Sequence, residues 1–199
     1  MKIHLPQEYY SGNDALPIAV DLIGKLIVCG EKNTYTSGII VETEAYLAPN
    51  DKASHAYNNR MTTRTKTMFE PGGTAYIYLV YGMNHLFNVV TGPAGLPHAI
   101  LIRAVEPVDG IDIMMQRRKK KGSNLTNGPG KWTSAMGITI KNNGLRLYEH
   151  DSYIKIYDVG NKYSSADIIS SPRVGIHYAG EFVEKPWRFR LIGNAWAGR

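Results

Sequence analysis

At 199 residues the chain is long enough to bury a substantial core, and a single domain accounts for its length. Its 43% hydrophobic and 20% charged composition excludes a disordered or fibrous protein, and its lone cysteine, Cys29, excludes an internal disulfide framework and points to a reducing compartment. The net charge of +6 suits a polyanionic partner without identifying one.

The opening residues, "MKIHLPQEYYSG", hold no apolar run of the roughly 7–15 residues that a secretory signal needs. No stretch approaches the ~20 apolar residues of a spanning helix. A cytoplasmic, soluble chain with no membrane association is therefore expected. In "NDALPIAVDLIG", Ala15, Ile18, Ala19, Leu22 and Ile23 recur at helical spacing behind Asn13 or Asp14 as an N-cap. "KLIVCG" and "YTSGIIVETEAYL" follow, rich in β-branched and aromatic residues, and predict strands. Residues 48–72 are polar and basic and predict a long loop with room for a short helix. Unstructured loops of that length inside a compact domain are usually functional or disordered.

Residues 73–89, "GTAYIYLVYGMNHLFNV", predict a hairpin with the tip Tyr81-Gly82-Met83-Asn84. "HAILIRAVEPV" predicts a buried strand interrupted by Arg103. "DGIDIMMQRRKKKG" predicts a helix with Ile111, Met114 and Met115 facing inward. The five consecutive cations at 117–121 suit either the C-terminal end of that helix, capped by Gly122, or a phosphate contact. Asn127-Gly128-Pro129-Gly130 predicts a turn leading into another helix, and the last third alternates short strands with Gly, Pro and Asn turns. Hairpin-linked strands with a few packed helices predict an α+β fold around an antiparallel sheet.

Several of these segments carry side chains with chemistry. Strand alternation in "GIIVETEAYL" sets Glu42, Glu44 and Tyr46 on one face and Val41, Thr43 and Ala45 on the other, with the two Glu Cα atoms ~7 Å apart. Such a pair is either a solvent-facing sheet edge or a site where one carboxylate activates a water. On the hairpin, Tyr76, Tyr78 and Val80 share one face and Ile77, Leu79 and Tyr81 the other. Tyr81 and Met83 have little to pack against at the tip, as with the apolar wedges that proteins insert between base steps. His55 is placed to hydrogen-bond a substrate or its own loop. Six histidines and one cysteine without paired ligand spacing predict no metal, and no cofactor is expected. Cys29 reads as a small core residue. Arg103 either faces an edge or pairs with Glu44 or Glu106, because a buried arginine is costly alone. "GPGK" at 128–131 lacks the upstream glycine and following Ser/Thr of a nucleotide-binding loop, which leaves Lys131 as a candidate phosphate contact.

Taken together, "VETEAYLAPNDKASHAYNNRMTTRTKTMFEPGGTAYIYLVYGMNHLFNV", "ILIRAVEP", "LTNGPGKW" and "PRVGIHYAGEFVEKPWRFRLIG" closely resemble the alkyladenine (3-methyladenine) DNA glycosylase family, over roughly residues 8–193. The resemblance implies one glycosylase domain spanning residues 1–199. It implies a curved, mostly antiparallel sheet with flanking helices and a protruding hairpin that inserts into DNA. It further implies a monomeric, monofunctional enzyme that flips a damaged purine from duplex DNA and hydrolyses its N-glycosidic bond. Carried over by motif, Glu44 is the general base and Arg103 helps it hold the water. Tyr46, His55 and Tyr78 form the base pocket, and Asn88 limits it against guanine. Tyr81, with Met83, fills the gap in the duplex, and a backbone carbonyl near Ile176 contacts the water. Arg60, Arg64 and Lys131 are candidate contacts to the DNA backbone. Thr65 departs from the asparagine that the family often carries after the loop arginine. In a prokaryote the expected location is the cytoplasm, at the nucleoid.

Two other readings remain open on the residues alone. One is a non-catalytic protein that binds damaged DNA through the same hairpin. The other is an RNA-acting protein using the tyrosine-rich strands as a stacking platform, although no RNA-binding motif is present.

Overall fold

A computed structural model describes residues 2–31, 34–80 and 82–198. Nine strands form one sheet: β1 Ile3–His4, β2 Leu26–Cys29, β3 Thr36–Leu47, β4 Ala75–Val80, β5 Asn84–Thr91, β6 His98–Asp109, β7 Ile154–Asp158, β8 Ile168–Ser171 and β9 Arg188–Leu191. The helices are α1 Ala15–Asp21, α2 Ile111–Arg118 and α3 Pro129–Met136. The strand order is β1-β7-β2-β3-β6-β5-β4, and every pairing is antiparallel. β9 pairs with the far half of β3, beyond the stretch paired to β2, and carries β8 at its side. The architecture is the expected α+β class with a curved antiparallel sheet.

Strand β3 reads as predicted, with one consequential exception. Its register against β6 runs Ile40↔Val105, Glu42↔Ala104, Thr43↔Ile102, so it skips Val41 on one strand and Arg103 on the other. Skipped residues of this kind bend a strand and re-aim its side chains. Ile40, rather than Val41, therefore joins Ala45 in the main core, while the Thr43 hydroxyl donates to Ala19 O of α1. Strict alternation would have put Val41 there. Strand alternation sets Arg103 on the face opposite Ile100 and Ile102, which point into that core.

The main core lies between the sheet and the helices. Trp132 of α3 is fully buried, stacks edge-on against Phe87, and donates its indole N–H to Ile102 O at 2.9 Å. Cys29 is fully buried in the same core, and burial raises its thiol pKa above the ordinary value. Asp14 caps α1 by accepting from Leu16 N. Gly110 begins α2 at φ 70, where a Cβ would also lie 2.4 Å from Tyr35 O, so glycine is required twice over.

Two expectations about α2 are corrected. Ile111 is 42% exposed, because only one turn of this short helix reaches the core, through Met114. The helix ends at Arg118 with Lys119 in the left-handed region, so Lys119 and not Gly122 closes it. The cation run also divides. Arg117 turns back and donates to Ala135 O, whereas Lys119, Lys120 and Lys121 are exposed. The "GPGK" turn serves packing. Gly130 opens α3 where a Cβ would lie 2.8 Å from Asn84 Cβ, bringing the helix start against the first residue of β5.

The opposite face of β4, β5 and β6 is covered by residues 48–72. That segment contains two short 3-10 turns, Tyr57–Asn59 and Lys66–Phe69, and packs Met68, Ala48 and Ala56 against Tyr76, Val90 and Ala99. Alternation along β4 thus sends Ile77 to the main core and Tyr76 and Tyr78 to the loop-covered face.

Candidate active site

Between that loop-covered face and the segment 173–178 lies a cleft of about 430 Å³. Its lining includes Tyr46, His55, Tyr78, Asn88, Arg103 and Ile176, residues from four strands and two loops that are far apart in the chain.

Behind the wall formed by Tyr46, Arg103 and Val174 is Glu44, which is fully buried and not itself part of the lining. Glu44 Oε2 accepts the Tyr46 hydroxyl at 2.8 Å, and Oε1 accepts the Val174 backbone N–H at 2.8 Å. Arg103 Nη1 approaches the same Oε1 at 3.3 Å. Three donors converge on one carboxyl group and fix its orientation. The solvent-facing reading of the Glu-x-Glu pair is overturned, since Glu42 is also buried. Glu42 Oε1 accepts from Arg103 Nε at 3.0 Å and Arg188 Nε at 2.6 Å, and Oε2 accepts the Gly198 N–H at 2.7 Å. Arg103 pairs with both glutamates and not with Glu106, which instead accepts from Asn194. Burial opposes the charge on Arg103, yet Glu44 and Glu42 outweigh it and hold its pKa above the ordinary value.

The walls are aromatic. Tyr78 and His55 meet with ring centroids 4.7 Å apart and nearly perpendicular, and Tyr76 lies 5.4 Å from Tyr78. Burial raises the Tyr76 phenol pKa to about 12 and moves Tyr78 in the same direction. The Tyr46 phenol is held well above its ordinary value by burial and then by Glu44. His55 is lowered to about 4, by burial first and then by Arg64. Its Nε2 lies 3.0 Å and its Nδ1 3.5 Å from Arg64 Nη2, which can only donate, and Nδ1 also lies 3.0 Å from the Tyr76 hydroxyl. Asn88 is buried and donates to Tyr76 O at 3.1 Å.

The loop is anchored by a buried ion pair. Asp51 accepts from both Nη atoms of Arg173, at 2.5 and 2.9 Å, and from the backbone N–H groups of Leu47 and Ala53. The Arg173 guanidinium also lies over the rings of Tyr46 and Trp187, at 4.7 and 4.9 Å. Thr65 is buried, where its hydroxyl donates to Arg60 O and accepts from Thr62 N, bracing the turn that carries Arg60 and Arg64.

Other predicted residues fall elsewhere. Met83 is 78% exposed at the end of the β4–β5 hairpin, and Tyr81 lies outside the described residues. Arg60 and Arg64 are exposed on the rim. Lys131 stands apart from the cleft, donating to Asn124 and Asn127. Ile176 lines the cleft, but its carbonyl accepts the Ala179 N–H, and the contact to Glu44 comes from Val174 two residues earlier. Val174, Arg173, Asp51 and Arg188 were not picked out from the sequence. The one signal for three of them was their place in "PRVG" and "PWRFR", and nothing local marks Asp51. Among the described residues no group of three or more His, Cys, Asp and Glu side chains gathers to hold a metal ion, and no helix is long and apolar enough to cross a membrane.

Residues 9–195 match the family model described as methylpurine-DNA glycosylase. A Chlamydia felis protein provisionally named a 3-methyladenine DNA glycosylase is 47% identical over 190 residues, covering 94% of this chain and 95% of its own. Similarly named proteins of Chlamydia pneumoniae and Bacillus cereus ATCC 14579 are 45% and 44% identical, covering 94% and 98% of this chain and the same shares of their own.

Proposed function

The chain belongs to the methylpurine-DNA glycosylase family, and from that premise we propose that it excises alkylated or deaminated purines from duplex DNA by a water that Glu44 activates. The DNA glycosylase activity comes with the family. The identity of the base, the flipping step and the residue roles are our reading. The observation that carries it is the position of Glu44, buried directly behind an aromatic cleft and held by three of its lining residues, Arg103, Val174 through its N–H, and Tyr46.

A purine inside the stack is out of reach of such a carboxylate, so the nucleotide must be extruded into the cleft. Tyr46 and His55 line the pocket for the base, and Tyr78 stacks on its opposite face. A positively charged alkylpurine gains about 0.5–2 kcal/mol from π faces. Asn88 closes the end of the cleft against the exocyclic amine of guanine. Met83 at the end of the β4–β5 hairpin, together with Tyr81, plugs the vacated stack. Water bound to Glu44 attacks C1′ of the extruded nucleotide and gives Glu44 its proton. The glycosidic bond breaks and its electron pair leaves with the base, so a cationic 3-methyladenine or 7-methylguanine departs neutral. Hypoxanthine and etheno-adenine are neutral and need a proton as they leave.

No lysine lines the cleft among the described residues, which favours hydrolysis by water over an amine-linked lyase step. Arg60 and Arg64 on the rim grip the backbone, and the chain acts as a monomer and a single domain. Single-turnover excision from duplexes carrying an alkylated purine or hypoxanthine tests this. Glu44→Gln is expected to bind lesion DNA within about tenfold of the wild type and to lose at least ~100-fold in excision. Undiminished excision by that variant removes Glu44 as the base. Tight binding without release of any base by the wild type makes the protein a non-catalytic damage binder.

A further inference from the structure

Arg64 belongs to two clefts at once. It lines the aromatic cleft, and it also lines a neighbouring cleft of about 380 Å³ with Lys52, Arg60, Thr62 and Ser54. The second cleft is rich in hydroxyls and carries Arg60 and Arg64 beside Lys52, which is paired with Glu181 at 2.8 Å, and the two clefts share the wall formed by His55 and Tyr178. The Arg64 guanidinium itself rests in the first. Its central carbon lies 4.6 Å from the centroid of the Tyr78 ring, and Nη2 lies 3.0 Å from His55 Nε2. A planar cation is thus stacked on the aromatic face that the proposed function gives to the base. No carboxylate pairs with Arg64 among the described residues, in contrast to Arg103, Arg173 and Arg188. Its hold on the cleft is one cation–π contact and contacts of 3.0 and 3.5 Å from Nη2 to the two nitrogens of an uncharged ring. Such contacts are worth little beside a phosphate, which a guanidinium meets with two parallel hydrogen bonds.

We propose that Arg64 is a resident occupant of the base cleft, which a phosphate of the extruded nucleotide draws into the neighbouring cationic cleft, so that base entry is coupled to backbone capture. The inference rests on the reading of the aromatic cleft as the base site. Its consequence is discrimination against free purines. A base that arrives without its phosphate must displace Arg64 unaided, and a cationic base must also approach a like charge. A base on DNA brings the anion that removes the obstacle.

The test pairs two probes whose affinities should move in opposite directions. Free 3-methyladenine is titrated into wild type, Arg64→Ala and Arg64→Lys by NMR, and a duplex with one lesion is titrated in parallel by fluorescence anisotropy. Arg64→Ala is expected to bind the free base at least fivefold more tightly and the duplex at least fivefold more weakly. A variant that titrates where the wild type is too weak to measure counts as the same result. Arg64→Lys keeps a charge for the phosphate without the planar stack. It should recover part of the duplex affinity and still bind the free base more tightly than the wild type. Unchanged free-base affinity in Arg64→Ala overturns the proposal and leaves Arg64 a rim contact to phosphate. Loss of affinity for both probes with an unchanged urea midpoint also overturns it, making Arg64 part of the base's own seat. Excision by the wild type in the same preparations separates these failures from failure of the underlying reading, under which no base would be released at all.

Discussion

Glu42 and Glu44, two residues apart on one strand, share a single guanidinium: Arg103 Nε lies 3.0 Å from Glu42 Oε1 and Nη1 lies 3.3 Å from Glu44 Oε1. Two buried carboxylates this close would repel each other, and Arg103 between them, with Arg188 behind Glu42, balances the charge. Glu42 thereby fixes the donor that faces Glu44. Glu42→Gln keeps the shape and removes the charge, leaving Arg103 free to shift. Single-turnover excision is expected to fall about 10–100-fold, the range that a small misplacement of a catalytic group costs, with lesion-duplex affinity within about threefold. An equal loss in affinity would instead assign Glu42 to the DNA-binding surface.

The backbone at Val174 is expected to matter more than its side chain. The Val174 N–H donates to Glu44 Oε1 at 2.8 Å, and hydrogen bonds to charged groups contribute about 1.5–3 kcal/mol. Val174→Pro removes that donor and should slow excision by about tenfold or more. Val174→Ala retains it and should stay within about threefold. Rates for the two variants, compared at equal urea midpoints, separate the donor from the packing.

The loop over the cleft depends on the Asp51–Arg173 pair, both of whose side chains are fully buried. Asp51→Asn leaves the guanidinium without its counter-charge, and breaking a buried pair in this way costs about 3–5 kcal/mol. Urea denaturation should register a loss of that size. A loss below about 1 kcal/mol would mean that the Tyr46 and Trp187 rings alone seat Arg173.

His55 links stability to pH. Its folded pKa is lowered to about 4 from an ordinary 6.5, by burial first and then by Arg64. Between those values the unfolded chain binds more protons than the folded one, so stability rises with pH across the window. The contribution is complete above about pH 6.5 and is lost as the pH falls toward 4. The difference in unfolding free energy between pH 7 and pH 5 is expected to be smaller in His55→Gln than in the wild type. An NMR titration of the wild type should place the His55 midpoint near 4, and a midpoint near 6.5 would refute the account.

Helix α1 with its Asp14 cap, the strand runs and the turn before α3 were legible in the sequence, because caps, turn residues and hydrophobic period act over a few residues. The aromatic residues of the cleft were legible as well, through the motifs around Glu44, His55 and Tyr78. What surrounds Glu44 was less so. Glu42 meets Arg188 across 146 residues of chain, and Asp51 meets Arg173 across 122. Their place in "PRVG" and "PWRFR" marks those arginines, but nothing local says which carboxylates they meet.

The sequence by itself determined which segments become strands and helices and which residue types could form a site. The tertiary structure decided their partners. The antiparallel pairing of β3 with β6 brings Arg103 across to both glutamates, and the approach of β9 brings Arg188 onto Glu42. The physical reason is that a strand's period tells which residues share a face, whereas register and bulges, set by packing over the whole sheet, tell what that face will meet.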